Sequence, residues 1–287
     1  MYKTFYGLTR NPFEVSPDPY FFFPTQGHLE ALANLAYGVF HRKGFVVVTG
    51  EVGTGKTLLI RYLLEALSQR KVASAYVYNP IVSVPEFLTH LIQDLGLLSS
   101  AVRTKTEALS RLNNYLMERS RQDLTTALIV DEAQLLSWEL LEEIRLLTNL
   151  ETTKHKLLQI VLVGQPEFER KLDSPNLRQL KQRVGLRCNL MPLEPRELKG
   201  YICRRLELAG ANSHAAAIFP DETIALIQNF SRGIPRLVNT LCENSLLLGF
   251  GNRQHQITPE IVQEVARDLH LNGVGQELFG VSEESKS

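Results

Sequence analysis

The sequence predicts an α/β protein in which a parallel sheet covered by helices is followed by a smaller, all-helical domain. Short apolar runs alternate with helical patterns as far as about Met191, and only helical patterns follow. Strands that are separated by helices and apolar throughout are typical of parallel sheets buried on both faces. With 287 residues, 44% of them hydrophobic, the chain is long enough to bury such a core.

The predicted strands and helices follow from local pattern. Short apolar runs with β-branched or aromatic residues predict strands over residues 45–49, 73–78, 126–130 and 158–163. Apolar residues at helical spacing predict helices over residues 28–43, 56–69, 138–150, 195–208, 221–230, 235–248 and 259–269. Two more helices open at capping boxes, Ser83 with Glu86 and Thr104 with Glu107.

Four segments are expected along the chain. Residues 1–27 are rich in aromatic rings and prolines, which predicts an ordered but irregular lead-in that packs its rings on the protein. An αβα domain is expected over residues 28–191 and a helical domain over residues 192–271. Residues 272–287 are polar and rich in glycine and serine, so we expect a disordered tail.

Composition disfavours several classes of protein. Lysine plus arginine and aspartate plus glutamate number 31 each, so overall charge gives no attraction to nucleic acid or anionic lipid. The cysteines Cys188, Cys203 and Cys242 are far apart, which argues against a disulfide framework or a zinc ribbon. Neither a signal peptide nor an apolar run of about 18 residues is present. We therefore expect a cytoplasmic protein without a membrane span.

A phosphate-binding loop follows the first predicted strand. The pattern G-x-x-x-x-G-K-[ST] is matched by Gly50-Glu51-Val52-Gly53-Thr54-Gly55-Lys56-Thr57. Glycines let backbone N–H groups face phosphate oxygens, and the N-terminus of the following helix adds its positive dipole end. We expect all eight residues to bind ATP, with Lys56 on the β- and γ-phosphates and Thr57 on Mg²⁺. The alternative is a glycine-rich turn that only reverses the chain and binds no phosphate.

Two carboxylates follow the strand over residues 126–130, in the form of a Walker B element. Asp131 is expected to bind Mg²⁺, through water, and so to belong to the nucleotide site. Glu132 is expected to orient and activate the attacking water. An acidic pair that only complements a helix N-terminus is the alternative for these residues.

The motifs together resemble those of the ExeA-like group of AAA+ ATPases, which are associated with bacterial type II secretion and related envelope loci. The likeness covers about residues 1 to 270. Besides the phosphate loop, it rests on Phe5-Tyr6-Gly7-Leu8, Asn11-Pro12-Phe13, Pro17-Asp18-Pro19, Asp131-Glu132-Ala133-Gln134 and Val163-Gly164-Gln165-Pro166. It implies a P-loop NTPase fold whose AAA+ core precedes a small helical lid. It also implies ATP hydrolysis with Mg²⁺ by a homo-oligomeric ring or filament.

The resemblance also implies three further catalytic residues. Gln165 matches the sensor 1 position, although a polar residue that merely closes a strand is the alternative. Arg183 matches the arginine finger, which enters a neighbouring subunit's site. Arg178 and Arg187 are its rivals, and a solvated arginine is the alternative. Arg236, in Gly233-Ile234-Pro235-Arg236, matches the sensor 2 position that reaches the γ-phosphate, with a surface arginine as the alternative.

Three functions are compatible with these motifs. The first is an ATPase that drives assembly or remodelling of an envelope machine for secretion, pili or exopolysaccharide export, through an unidentified protein partner that brings it to the inner membrane. The longer secretion members add a membrane span and a cell-wall-binding region. Neither region is recognised in this sequence, so we expect no direct peptidoglycan binding.

The second function is an ATP-dependent, DNA-associated regulator of transposition, and the third is a slow nucleotide switch. Nucleic acid is the less favoured partner because the net charge is zero. The candidate phosphate contacts for DNA are Lys154, Lys156, Arg178, Lys181 and Arg187, for each of which a solvated charge is the default.

Overall fold

The computed structural model describes residues 2–14, 18–97, 104–211 and 215–271. Pro17 of the lead-in and the predicted disordered tail over residues 272–287 lie outside these ranges. The chain divides into two compact units. The sheet unit comprises Gln26–Glu51 and Lys56–Leu190, and the helical unit comprises Met1–Thr25, Val52–Gly55 and Met191–Ser287.

Strands and helices alternate in the sheet unit, and helices dominate the other unit. The strands are β1 (Phe45–Gly50), β2 (Ala73–Val77), β3 (Thr126–Val130), β4 (Leu158–Gly164) and β5 (Leu186–Leu190). The α-helices are α1 (Tyr2–Phe5), α2 (Gln26–Phe40), α3 (Lys56–Gln69), α4 (Val84–Asp94), α5 (Lys105–Arg121), α6 (Trp138–Leu147), α7 (Pro166–Leu172), α8 (Arg178–Lys181), α9 (Pro195–Leu206), α10 (Ala215–Ile218), α11 (Asp221–Ser231), α12 (Pro235–Gly251) and α13 (Pro259–Asp268).

The five strands form one parallel sheet in the order β2-β3-β4-β1-β5. Alternate side chains of the central strands enter two separate apolar clusters. Val46 and Val48 pack with α2 and α3, whereas Phe45 and Val47 pack with α4, α5 and α6. Because side chains alternate across a strand, both faces of the sheet are buried under helices. The predicted fold class is confirmed.

The register of the sheet brings the carboxyl ends of three strands to one edge. Thr49 of β1 lies opposite Gly164 of β4, and Leu162 of β4 lies opposite Val130 of β3. The segments that leave β1, β3 and β4 therefore start side by side. Ligands of open parallel sheets bind at this carboxyl edge, which is where the candidate site is built.

The sequence analysis missed one strand. In β5 the buried residues Cys188 and Leu190 alternate with exposed Arg187 and Asn189, and among the described residues the strand pairs only with β1. Such a short edge strand has a weak apolar signal. The helix predicted over residues 138–150 ends earlier, at Leu147, where α6 closes with Thr148 as its C-cap.

The lead-in packs on the helices of its own unit. Tyr2, Tyr6 and Phe13 share an apolar cluster with residues of α9, α12 and α13. Arg205 is 7% exposed, and its guanidinium donates through Nε to the Pro12 carbonyl at 2.6 Å. The same guanidinium lies over the rings of Phe21 and Tyr201. Aromatic packing and a buried cation therefore order a segment that proline keeps out of long helices.

Within the described part of the chain, every helix is too short or too polar to cross a lipid bilayer.

Candidate functional site

The loop between β1 and α3 has the backbone that phosphate binding requires. Gly53 and Gly55 adopt positive φ angles of 86° and 98°, which L side chains rarely adopt. The side chain of Thr54 is fully buried, and α3 begins at Lys56. A glycine-rich turn thus leads directly into a 14-residue helix. The N–H groups of its first turn have no partner within the helix and suit an anion.

Lys56 lies over this loop with its ammonium largely shielded from solvent. Its Nζ donates to the Gly50 carbonyl at 2.7 Å and to the Glu51 carbonyl at 2.9 Å. Burial lowers the pKa of Lys56, whereas the carboxylates of Glu132 and Asp131 oppose that shift. The residue is 7% exposed. A positive charge held in so little water interacts strongly with a phosphate.

Asp131 directly follows β3 and faces the start of α3. Its Oδ2 accepts from the Thr57 hydroxyl at 3.3 Å, and its Oδ1 accepts from the Glu132 N–H at 2.9 Å. Burial raises the pKa of Asp131, and the Glu132 N–H is the largest of the effects that lower it.

The Thr57 hydroxyl and the Asp131 carboxylate oxygen, 3.3 Å apart, are oxygen ligands of the kind that Mg²⁺ prefers. Within the described ranges, no group of three or more His, Cys, Asp or Glu side chains could hold a metal ion. Mg²⁺ usually keeps water and phosphate oxygens as most of its ligands, and the oxygens of Thr57 and Asp131 fit such an ion.

Glu132 and Gln165 are brought together at the ends of β3 and β4. The Gln165 side-chain amide donates to Glu132 Oε2 at 3.1 Å. A second amide, that of Gln134, donates to the same oxygen at 2.5 Å. Glu132 has left-handed backbone angles, φ 51° and ψ 41°, which are uncommon outside glycine and occur often at functional sites.

Tyr76 also belongs to this cluster, and the sequence analysis missed it. Its hydroxyl donates to Asp131 Oδ2 at 3.3 Å. Burial, together with the charge of Asp131, raises the pKa of Tyr76 to about 12. The pairing of β2 with β3 places Tyr76 opposite Ile129, two residues before Asp131. No motif indicated Tyr76, because it reads as an ordinary strand residue.

In the helical unit, Arg236 lies against the tip of the phosphate loop. The Arg236 N–H donates to the Gly53 carbonyl at 3.3 Å. A Cβ added at Gly53 would lie 2.6 Å from Arg236 Cβ and 3.2 Å from Ile234 Cγ2. Glycine at position 53 is therefore required by space as well as by backbone angle. Arg236 itself is exposed and stands in the first turn of α12.

The candidate arginine finger lies elsewhere in the sheet unit. Arg183 donates to the Thr148 hydroxyl at 2.6 Å, at the end of α6. Its rival Arg187 forms an ion pair with Glu169, and Arg178 is exposed at the start of α8. The structure thus brings five predicted site residues together at one edge of the sheet: Lys56, Thr57, Asp131, Glu132 and Gln165. Arg183 instead forms a hydrogen bond with Thr148, the C-cap of α6.

Comparisons with known proteins concern the sequence and the fold of the chain. A family model described as an AAA domain matches residues 40–172. General secretion pathway protein A of Aeromonas hydrophila is 38% identical over 257 residues, which is 90% of this chain and 46% of that protein. The chain thus spans about half the length of this curated relative.

Two solved structures share the fold at low sequence identity. Cdc6p of Pyrobaculum aerophilum matches with a TM-score of 0.67 and 20% identity, over 93% of this chain and 74% of that one. The ORC2 protein of Aeropyrum pernix matches with a TM-score of 0.63 and 17% identity, over 95% of this chain and 75% of that one. At such identity these likenesses concern the fold alone. The sequence matches carry the family assignment: the AAA domain model and the likeness to general secretion pathway protein A over 90% of this chain show that it belongs to the ExeA-like AAA+ ATPases.

Proposed function

We propose that this protein binds ATP with Mg²⁺ at the phosphate loop and hydrolyses it. The observation that carries the proposal is the Glu132 carboxylate, held by Gln165 at 3.1 Å beside Asp131 on the edge where the loop begins. ATP hydrolysis needs phosphate positioning, charge neutralisation and an oriented water. The cluster at this edge contains a group suited to each task.

The roles follow from the chemistry of the side chains. Thr57 and Asp131 would hold Mg²⁺, which when bound neutralises charge on the phosphate oxygens. The Lys56 ammonium binds the β- and γ-phosphates. Glu132 accepts a proton from the attacking water. Gln165, through the amide that meets Glu132, orients the carboxylate and the γ-phosphate relative to each other.

The two arginines complete the proposal. Arg236, in contact with the loop tip at Gly53, is assigned to the γ-phosphate. Arg183 is assigned to the site of a neighbouring subunit because it matches the arginine-finger position of the family; within the chain it donates to the Thr148 hydroxyl. On this assignment the working form is a ring or filament, and an isolated chain is a poor ATPase.

For the cellular role, we propose assembly or remodelling of a bacterial envelope machine through a protein partner. The support is the identity to general secretion pathway protein A, which extends over most of this chain. The match covers 46% of general secretion pathway protein A and does not include the rest of that protein. The partner and the machine are therefore proposals for this chain, as is its position beside the inner membrane.

Ion pairs weigh against the DNA-associated alternative. Among the candidate phosphate contacts, Lys156 pairs with Glu151, Lys181 with Asp173, and Arg187 with Glu169. A paired cation releases fewer counterions on binding DNA and contributes less to affinity. Two results would favour this alternative: stimulation of ATP hydrolysis by DNA, and an affinity of the protein for DNA that falls steeply as the salt concentration rises.

The proposal is tested by Glu132→Gln, which keeps the size of the side chain and removes the base. We expect the turnover number to fall about 100-fold or more while ATP binding persists. Glu167→Gln is the matched control, because Glu167 is an exposed carboxylate that also acts on Lys56. The control should keep more than about half of the turnover number, since this charge is solvated.

Turnover and sedimentation should be measured on the same samples, with and without DNA. Loss of turnover in Glu132→Gln alone supports the assigned base. Equal turnover in Glu132→Gln and the unaltered protein would overturn that assignment. Tight ATP binding without turnover in any assembly would instead favour the slow nucleotide switch.

A further inference from the structure

The side chain of Gln134 bridges two parts of the candidate site. Its Nε2 donates to Glu132 Oε2 at 2.5 Å, and its Oε1 accepts the Gln165 backbone N–H at 3.1 Å. One amide therefore joins the end of β3 to the end of β4. Gly164 leaves room for this bridge, because a Cβ there would lie 3.1 Å from Gln134 Oε1.

The bridge makes the two oxygens of Glu132 unequal. Oε2 receives N–H groups from Gln134 and Gln165, whereas Oε1 accepts no hydrogen bond from the described residues. A carboxylate held through one oxygen has its other oxygen directed and available. Hydrogen bonds to a charged group are among the stronger ones, so two of them restrict rotation of the Glu132 side chain.

The backbone around Glu132 gives the bridge more importance. Glu132 stands in left-handed conformation between β3 and the short 3-10 turn Ala133–Leu135. The strand ends before Glu132, so the sheet does not fix the direction of its side chain. On the other side, Lys171 donates to the Gln134 carbonyl at 3.3 Å and ties this turn to α7. Gln134 is thus itself held in place.

We propose that Gln134 is a positioning residue for hydrolysis, which fixes Glu132 through Oε2 so that Oε1 faces the attacking water. This inference rests on the proposed function. On this proposal the side-chain amides of Gln134 and Gln165 together hold the Glu132 carboxylate. Either amide alone would leave the carboxylate freer to rotate than both do. The Gln165 N–H bond to Gln134 Oε1 sets which end of the Gln134 amide faces Glu132.

The first test is a double-mutant cycle on turnover. Gln134→Ala should lower kcat about 10- to 100-fold, since a small misplacement of a catalytic group costs that much, with KM for ATP changed less than about threefold. In a Glu132→Ala background, Gln134→Ala should change the residual kcat less than about twofold. Gln93→Ala, an exposed amide on α4, is the control and should leave kcat unchanged.

The second test measures the contact without any catalysis. In urea unfolding, the Gln134→Ala and Glu132→Ala substitutions should be coupled by a factor of about ten in the unfolding equilibrium constant. Additive effects in both cycles would overturn the proposal, and so would a rise in kcat for Gln134→Ala. Intact coupling with no turnover in the unaltered protein would support the contact and overturn the proposed function instead.

Discussion

Replacing Gly233 by alanine should destabilise the helical unit severely. Gly233 joins α11 to α12 with a φ angle of 75°, and an added Cβ would lie 2.1 Å from the Leu193 carbonyl oxygen. Leu193 cannot easily retreat, because its N–H donates to the Gly233 carbonyl at 2.8 Å. Left-handed backbone costs an alanine about 1–2 kcal/mol. Forced displacement of packed backbone costs about 1–3 kcal/mol more, so the total loss should be about 2–5 kcal/mol.

Urea unfolding of the two variants Gly233→Ala and Gly251→Ala measures this effect. Gly251 is the last residue of α12, where an added Cβ meets no atom within 4 Å. Alanine there should leave the free energy of unfolding unchanged or raise it by about 0.5–1 kcal/mol. A loss below about 1 kcal/mol for Gly233→Ala would refute the argument from backbone angle and space.

Two further predictions concern the finger and the lead-in. If Arg183 acts in a neighbour's site, mixing Arg183→Ala with Glu132→Gln should restore turnover that neither variant has alone. Mixed assemblies that sedimentation detects but that stay inactive would argue against this arrangement. Burial raises the pKa of Tyr6 to about 12, so the folded protein keeps a proton that the unfolded chain loses from about pH 10. Stability should therefore fall between pH 10 and 12 less steeply in Tyr6→Phe than in the unaltered protein. Equal slopes in urea unfolding would contradict that prediction.

The sequence predicted the parts of the structure that local pattern controls. Apolar runs defined four of the five strands, and the helix of the phosphate loop has the predicted bounds, Lys56–Gln69. The carboxylates Asp131 and Glu132 follow a strand whose predicted bounds, 126–130, are also observed. In a parallel sheet that placement brings them to the edge where the loop begins. Motif and topology together were therefore enough to predict where these residues lie.

Contacts between distant segments could not be predicted in the same way. Tyr76 meets Asp131 only because β2 pairs with β3 in one register. The bridge from Gln134 to Gln165 depends on the unusual backbone of Glu132 and on the space beside Gly164. No sequence motif with a fixed spacing links the two residues of either pair. The edge strand β5 was missed for a related reason, since only alternate residues of it are buried.

The central claim is that the edge of the sheet forms an ATPase site, and Lys56→Ala tests it most directly. ATP binding by titration and turnover should be measured with Mg²⁺ on the unaltered protein, on Lys56→Ala, and on Lys154→Ala as an exposed control. We expect the unaltered protein and the control to bind and hydrolyse ATP, and Lys56→Ala to lose most of both activities. Hydrolysis by Lys56→Ala at the rate of the unaltered protein would contradict the claim.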